Sequence, residues 1–316
     1  MIYPMKLKPA TKDYVWGGTR LKREWKKPSE GDVIAESWEL SCHNDGMSVI
    51  ENGEYAGMPL GELLEHMPLY KGEKCGQFEF FPILIKLIDA KTNLSIQVHP
   101  SDEYALAKEG QYGKSEMWYI VDAEKGSGVY CGFKKAVDAA ELEEALKGGK
   151  ILDLLNFIPV KKGDSIYIPS GTVHAICGGL LICEVQQNSS LTYRLYDYDR
   201  VGKDGKKREL HIEKALQVVN TAAVTSPNEN VVCESDGVRR LASCKYFTVR
   251  EIKVDPEYKG AVGQECFLSL TCTEGEGVLI WQDTSFDIAL GDTLFLPAGL
   301  GEFTLRGGMT VISACV

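Results

Sequence analysis

The sequence has no C-x-x-C pair, although it contains ten cysteines. Cys177 and Cys183 stand too far apart to be two ligands of a zinc ribbon, and so do Cys266 and Cys272. In a compartment that keeps thiols reduced, such cysteines serve as small buried apolar residues. We therefore expect the cysteines to take no part in the chemistry.

Long apolar segments are also missing. No apolar run approaches the roughly 20 residues that a membrane-spanning helix needs. The first twenty residues, MIYPMKLKPATKDYVWGGTR, contain no continuous apolar stretch of the kind that a secretory signal carries. We therefore expect a cytoplasmic protein that has no membrane partner.

Positive charge is in the minority, with 35 lysines and arginines against 45 acidic residues and a net charge of −10. This balance argues against a nucleic-acid partner, because binding nucleic acid requires clustered cations. One local basic pocket would still be enough for a phosphorylated substrate. The apolar fraction of 44% is that of a globular protein, and 316 residues suffice for one large domain or two ordinary ones.

Short strand-like runs separated by Gly, Pro and Asp dominate the chain, which predicts a mainly β fold of the barrel or jelly-roll kind. Helical periodicity and capping residues are confined to the segments 60–66, 101–109, 138–147 and 211–220. The predicted strands are Ser95–His99, Met117–Val121, Ser165–Ile168, Leu180–Gln186, Phe247–Ile252, Gly277–Trp281 and Thr293–Leu296.

An internal repeat divides the chain. Residues 163–174 read GDSIYIPSGTVH and residues 291–302 read GDTLFLPAGLGE, so that His174 ends the first copy and Glu302 the second. In both copies a strand enters a Pro/Gly turn, and we expect the final residue to face inward. The spacing resembles the second cupin motif, G(x)5PxGxxH. It predicts two cupin-type β-barrels or jelly rolls, with residues 1–236 forming a metal-binding barrel with a few helices packed on it, and residues 237–316 a second barrel without metal.

Four side chains of the first barrel have the chemistry of a metal site. Gln97 and His99 are two apart on a predicted strand and therefore point to the same face. Glu116 begins the next predicted strand, and His174 follows the cupin turn. Two imidazoles, a carboxylate and an amide oxygen suit one Zn²⁺ per chain, and Fe²⁺ or Mn²⁺ also fits two histidines and a carboxylate.

Seven ordered motifs extend along most of the chain: YVWGGTRL (14–21), AESWELS (35–41), LSIQVHP (94–100), GKSEMWY (113–119), IPSGTVHAI (168–176), EVQQNSSLTYRLYDYDR (184–200) and RELHIEKAL (208–216). In these motifs, and over nearly its whole length, the chain resembles the short bacterial form of the type I mannose-6-phosphate isomerases. The resemblance implies a reversible conversion of mannose 6-phosphate to fructose 6-phosphate, with one zinc held by Gln97, His99, Glu116 and His174 and an active-site arginine at Arg194. Longer relatives insert a helical domain before the second histidine, and this chain has little room for one.

Aldose–ketose isomerisation moves a proton between C2 and C1 through a cis-enediol(ate). Glu184 lies on a predicted strand in phase with the barrel interior and is the leading candidate for the base. Lys114 shares a face with Glu116 and is a candidate to protonate or polarise a substrate oxygen. Lys86 lies inside an apolar strand and needs an anion nearby, so it and Ser95 are candidates for binding the substrate phosphate. Arg194 would add a fixed cation.

The sequence leaves open alternative residue roles, rival functions and the oligomeric state. Glu184 would have only a structural role if it paired with a lysine, and Lys86 would be unremarkable as an edge residue. A metal-dependent cupin oxygenase and a non-catalytic sugar-phosphate-binding cupin are the two rival functions. Either a monomer or a homodimer is compatible with the sequence.

Overall fold

The computed structural model describes residues 2–202, 205–224 and 231–316, and these residues are organised mainly as β-sheet with six α-helices. The helices are short and are separated by long β segments, which confirms the predicted fold class. In chain order they are α1 Arg20–Arg23, α2 Leu60–His66, α3 Asp102–Glu109, α4 Ala139–Lys147, α5 Ile151–Leu154 and α6 Ile212–Val218. Two 3₁₀ turns, Pro68–Lys71 and Glu73–Gln77, follow α2.

Twenty-three strands are found in the described residues. Each predicted strand overlaps one of them. They are β1 Met5–Lys8, β2 Ala10–Lys12, β3 Glu36–Leu40, β4 Cys42–His43, β5 Gly46–Met47, β6 Val49–Ile50, β7 Ile83–Ala90, β8 Ile96–Val98, β9 Glu116–Ala123, β10 Gly128–Phe133, β11 Leu155–Pro159, β12 Ser165–Ile168, β13 His174–Ile176, β14 Leu180–Gln187, β15 Tyr193–Tyr196, β16 Val232–Ser235, β17 Val238–Ser243, β18 Thr248–Val254, β19 Glu257–Val262, β20 Leu268–Trp281, β21 Thr284–Ile288, β22 Thr293–Leu296 and β23 Gly301–Cys315.

The first barrel consists of two sheets. One has the strand order β12-β9-β14-β7-β3-β2, and the other has the order β11-β10-β13-β8-β15. Alternation along β8 places Ile96 and Val98 in an apolar cluster with Leu142 of α4 and Ala215 of α6, on the helix side of the sheet. Gln97, between them, therefore points to the barrel interior.

The second barrel is built on a ten-stranded sheet. Eight of its strands have the order β16-β17-β18-β23-β20-β22-β1-β6, and the other two are β19, which pairs with β23, and β21, which pairs with β20. Two of its strands, β1 and β6, come from the beginning of the chain, because Met5 pairs with Phe295 and Leu7 with Ile50. One continuous apolar cluster joins this sheet to the outer face of the six-stranded sheet. The division of the chain at residue 236 stays a prediction.

The internal repeat is a repeated turn. Gly163 and Gly291 have φ values of 87° and 89°, a backbone region that favours glycine. The carboxylate of Asp164 accepts a hydrogen bond of 2.9 Å from the backbone N–H three residues earlier, and the carboxylate of Asp292 accepts an equivalent bond of 2.8 Å. The two G-D dipeptides therefore make the same turn before β12 and β22.

The ends of the two copies differ. Gly171 and Gly299 again share a positive φ, of 86° and 79°. His174 is 1% exposed and faces the interior of the first barrel, as predicted. Glu302 is exposed on β23, so the expectation that it faces inward is wrong. A carboxylate is more stable in water than in an apolar interior, and the Glu302 side chain accordingly faces solvent.

The predicted helices are present, and two of them, α3 and α4, begin at the residues expected to cap them. The Ser101 hydroxyl accepts a hydrogen bond from the backbone of Tyr104 at the start of α3, and the Asp138 carboxylate accepts one of 2.8 Å from Glu141 at the start of α4. His211 stands at the start of α6. Among the described residues, no helix combines the length and the apolar character that crossing a bilayer requires.

Candidate active site

Three predicted metal ligands meet inside the first barrel. His99 Nε2 lies 3.2 Å from His174 Nε2 and 3.5 Å from Glu116 Oε2, and His174 Nε2 lies 3.2 Å from Glu116 Oε1. All three side chains are at most 1% exposed. The strands explain the meeting, because His174 pairs with Gln97 across β13 and β8, while Glu116 starts β9 in the facing sheet.

The electrostatics keep both imidazoles available as ligands. Burial lowers the pKa of His99 well below the ordinary value, and the nearby Lys114 lowers it further. Burial also lowers the pKa of His174, although the Glu116 carboxylate opposes this shift. His174 Nδ1 donates to the backbone oxygen of Thr172 over 2.8 Å, which leaves the Nε2 lone pair facing Glu116. Both rings are therefore neutral at neutral pH.

The triad fits a divalent cation. Both Glu116 carboxylate oxygens are buried without a hydrogen bond; Oε2 has the Lys114 ammonium at 2.9 Å, whereas Oε1 faces the neutral His174 ring at 3.2 Å, an unfavourable state for an anion that a bound metal would relieve. Two ligands held at about 2.0–2.1 Å from a tetrahedral zinc lie roughly 3.3–3.4 Å from each other. The three separations of 3.2, 3.2 and 3.5 Å match that spacing.

Gln97, the fourth predicted ligand, lies next to the triad, but its amide nitrogen faces the triad and its amide oxygen faces Ser95. Its amide nitrogen lies 3.4 Å from His174 Nε2, while its amide oxygen accepts a hydrogen bond of 3.2 Å from the Ser95 hydroxyl. Coordination through the oxygen requires the amide to turn over, an exchange of two atoms that differ little in size. Ser95 and Gln97 share one face of the strand, as their spacing predicts.

Lys114 stands directly beside the triad. Its ammonium is 2.9 Å from Glu116 Oε2 and 3.2 Å from His99 Nε2, and its side chain is 6% exposed. A cation so close to a ligand carboxylate balances part of its charge. It is also placed to donate a proton to an oxygen that approaches the triad.

Glu184 and Lys86 form a second buried group in the same cavity. They are paired across β14 and β7, and Lys86 Nζ lies 3.5 Å from Glu184 Oε1 and 3.3 Å from Glu36 Oε2. Glu184 Oε2 accepts a hydrogen bond of 2.9 Å from the Trp118 indole, whereas Oε1 accepts none. Burial raises the pKa of Glu184, but Lys114 and Lys86 lower it more, so the carboxylate is ionised at neutral pH.

Arg194 lines the same cavity as this group. It pairs with Gln97 across β15 and β8, and its Nε is buried without a hydrogen-bond partner. Burial lowers the pKa of Arg194, and the neighbouring Arg208 lowers it further. An unsatisfied guanidinium donor beside a second cation is a favourable place for an anionic ligand.

One cavity gathers most of the predicted residues. Six of them line it, and the triad is buried behind Gln97 and Lys114. The six are Lys86, Ser95, Gln97, Lys114, Glu184 and Arg194.

Several cavity residues had no predicted role. Glu36 and Trp38 contact Lys86 from β3, and Trp38 lies with its ring 5.1 Å from the Lys86 ammonium. Tyr14 and Trp16 line the cavity from the loop before α1. Their only sequence signal was membership of the YVWGGTRL and AESWELS motifs, because neither local pattern indicates which side chains reach the site.

Comparison with known proteins gives a consistent result. Residues 5–132 match the model of the phosphomannose isomerase type I catalytic domain, and residues 238–316 match that of the mannose-6-phosphate isomerase cupin domain. The chain is 40% identical over 309 residues to mannose-6-phosphate isomerase ManA of Bacillus subtilis, covering 96% of each sequence.

Solved structures agree with the sequence relatives. The crystal structure of the mannose 6-phosphate isomerase from Bacillus subtilis superposes with a TM-score of 0.92 at 36% identity, covering 99% of each chain. A mannose 6-phosphate isomerase solved with zinc and yttrium superposes with a TM-score of 0.79 at 18% identity over 98% of each chain, a likeness that shows the fold alone.

Proposed function

The chain belongs to the type I phosphomannose isomerases, and on this premise we propose that it interconverts mannose 6-phosphate and fructose 6-phosphate with the help of one divalent metal ion. The observation that supports this best is the convergence of His99, Glu116 and His174 directly behind Gln97 and Lys114, which line a cavity together with other basic and acidic side chains. A binding module would have no need for an ionised, partly unsatisfied carboxylate beside that triad.

We propose that the metal is zinc and that Gln97, His99, Glu116 and His174 hold it. The borderline character of two imidazoles and one carboxylate and the spacing of the triad support this choice. When bound, such an ion supplies a Lewis acid that stabilises the negative charge developing on the substrate oxygens at C1 and C2. The residues around it perform the proton transfers.

Glu184 is the proposed base. It takes the proton from C2 of the open-chain aldose, which gives the cis-enediol(ate), and returns a proton to C1 to form the ketose. Its Oε1 is free of hydrogen bonds, and the indole of Trp118 holds the other oxygen, so the carboxylate has a defined direction. The low pKa keeps it ionised at neutral pH, as a base must be before the transfer.

Lys114 and Arg194 are the proposed electrostatic partners of the substrate. Lys114 contacts a metal ligand and lines the cavity, so it donates to the oxygen whose charge rises during the transfer. Arg194 has a buried guanidinium nitrogen without a partner and faces the same cavity, so it adds a fixed cation. Both side chains are held by the fold and need little reorganisation.

Ser95 and Lys86 are the proposed contacts of the substrate phosphate. Ser95 offers a hydroxyl and is 3% exposed beside Gln97. Lys86 already lies near the carboxylates of Glu36 and Glu184, which supply the anion that its burial demands. The proposal that Lys86 binds phosphate is therefore supported by its position in the cavity lining. Lys86 also lowers the pKa of Glu184.

The proposed function also bears on the division of the chain, its location and its oligomeric state. We propose that residues 1–236 carry the catalytic site and that residues 237–316, whose sheet is completed by β1, β6 and β16, form a supporting barrel that holds no metal. The ten cysteines are free thiols, which supports a reducing, cytoplasmic location. A monomer or a homodimer satisfies the proposed chemistry, because the described site residues come from one chain.

The proton transfer can be tested directly. Incubation of the metal-loaded protein with mannose 6-phosphate in deuterated water should produce fructose 6-phosphate with deuterium at C1, as followed by NMR. Glu184→Gln should slow both product formation and the exchange at C2 by about 10²–10⁴-fold. Product formation by a Glu184→Gln variant at the wild-type rate would contradict the assignment of the base.

A further inference from the structure

A second cavity, of about 490 Å³, opens beside the catalytic one. His43 lines it and packs edge-on against Trp38, with ring centroids 5.7 Å apart, and Trp38 in turn lines the catalytic cavity. Asn188 lines the second cavity, while Ser190, two residues later, lines the first. None of the side chains assigned to isomerisation lines this second cavity, so it has no part in the proposed reaction.

An aromatic corner forms one wall. The Phe80 side chain is 45% exposed, and its ring stands 5.4 Å from the Tyr112 ring in an edge-on arrangement. The Phe80 backbone N–H donates to the Tyr112 hydroxyl oxygen over 2.6 Å, and the hydroxyl donates to the Phe80 carbonyl over 3.1 Å. These two bonds hold the Tyr112 ring against the Phe80 backbone, so this aromatic wall is formed before any ligand binds.

The polar groups of the cavity favour a ligand rich in hydrogen-bond donors. The side-chain oxygen of Asn188 is buried and has no partner in the described protein, although the residue lines the cavity. Burial lowers the pKa of His43, against the opposing effects of Asp45 and of a hydrogen bond with Gln111, so the ring is neutral at neutral pH. The free Asn188 oxygen suits a ligand hydroxyl group, while His43 Nδ1 already accepts a hydrogen bond of 3.1 Å from the Asp45 backbone N–H, so the neutral ring has its other nitrogen as a donor.

Charge selects against anions. Asp45, Glu65 and Glu79 line the cavity with Lys71 as the one opposing lysine in its described lining, so a phosphorylated ligand would be repelled. The three carboxylates are exposed, and among the described residues they do not converge on a point as they would to bind a cation. The inner wall is uncharged.

We propose that this cavity binds a neutral pyranose, with one face of the sugar against Phe80 and hydroxyls donated to Asn188. Its volume falls within the range of roughly 300–1,000 Å³ that is usual for small-ligand sites. The occupant is uncharged, in contrast to the phosphorylated hexose of the catalytic cavity. The proposal does not depend on the metal or on the isomerase activity.

Methyl α-D-mannopyranoside is a suitable probe, because it carries no phosphate and its blocked anomeric carbon prevents ring opening. Saturation-transfer NMR on the full-length protein should show saturable binding with a Kd on the order of 1 mM. Chelation of the metal and the His174→Ala substitution should leave this Kd unchanged. Those two controls separate a failure of this site from a failure of the catalytic assignment.

Phe80→Ala and Asn188→Leu should each weaken the binding of the probe at least about tenfold, a loss expected from removing one stacking face or one buried acceptor. Both variants should keep the wild-type isomerase rate, which also shows that they fold. Phe157→Ala removes a comparably exposed ring on β11, outside the cavity, and should change nothing. Absence of saturable binding, binding unaffected in both cavity variants, displacement by mannose 6-phosphate, or preference for an amine probe would each overturn the proposal.

Discussion

Lys86 and Glu184 face each other on the paired strands β7 and β14, with 3.5 Å between the Lys86 ammonium and the Glu184 carboxylate. A buried lysine next to a buried glutamate stabilises the charged form of each. With Glu184 as the proposed base, Lys86 should affect the proton transfer whether or not it also contacts the substrate.

Replacement of Glu184 by Gln removes the proposed base and keeps a side-chain oxygen for the Trp118 indole. The expected result is a fall in kcat of about 10²–10⁴-fold, the usual contribution of a general base, with KM and metal content near the wild-type values. Steady-state kinetics with elemental analysis checks this. A fall below about tenfold would show that another residue takes the proton.

Replacement of Lys86 by Met removes a cation that lowers the pKa of Glu184. Because the base acts in its ionised form, activity falls as the pH drops through that pKa. The pKa rises in the variant, so the acid limb of the kcat/KM profile should move to higher pH. The measurement is the pH dependence of kcat/KM for both proteins, and an unmoved acid limb would argue against Glu184 as the titrating group.

Arg194 offers a test of the fixed cation. Arg194→Ala should lower kcat/KM by about 10–100-fold, because a hydrogen bond to a charged group contributes roughly 1.5–3 kcal/mol. The matched control is Arg306→Ala, on the second barrel, where the arginine is exposed and pairs with Glu257. Equal kinetics for the two variants would remove Arg194 from the site, whereas a loss confined to Arg194→Ala supports its role.

The junction of the two barrels contains a buried ion pair that can be probed by stability. Lys27 Nζ lies 2.6 Å from the Glu39 carboxylate, with side-chain exposures of 7% and 0%, and also donates to the Gly291 carbonyl. Lys27→Met should lower the free energy of unfolding by about 3–5 kcal/mol, because it leaves Glu39 buried without a cation. Denaturant unfolding measures this, and the Lys27→Met/Glu39→Leu double variant should recover part of the loss.

Local patterns in the sequence were sufficient for much of this fold. The same-face relation of Ser95 and Gln97 follows from the strand period of two, and the capping role of Asp138 follows from side-chain chemistry. The turns at Gly163 and Gly291 could be recognised because only a few residue types tolerate a positive φ.

Long-range pairing could not be predicted. The placement of β1 and β6 in the sheet of the second barrel depends on contacts between the two ends of the chain, which no local period encodes. The exposure of Glu302 shows the same limit, because the turn repeats while the strand after it is directed differently. Glu36 and Trp38 were assigned no role, because only the pairing of β3 with β7 brings them to Lys86.

Isomerisation is proposed to require a single cation held by His99, Glu116, His174 and Gln97. The direct measurement is a coupled assay on mannose 6-phosphate after complete chelation and stepwise return of zinc, with metal content determined in parallel. Activity should disappear on chelation, return in proportion to zinc up to one equivalent per chain, and stay absent in His174→Ala. Activity that survives both chelation and that substitution would contradict this requirement.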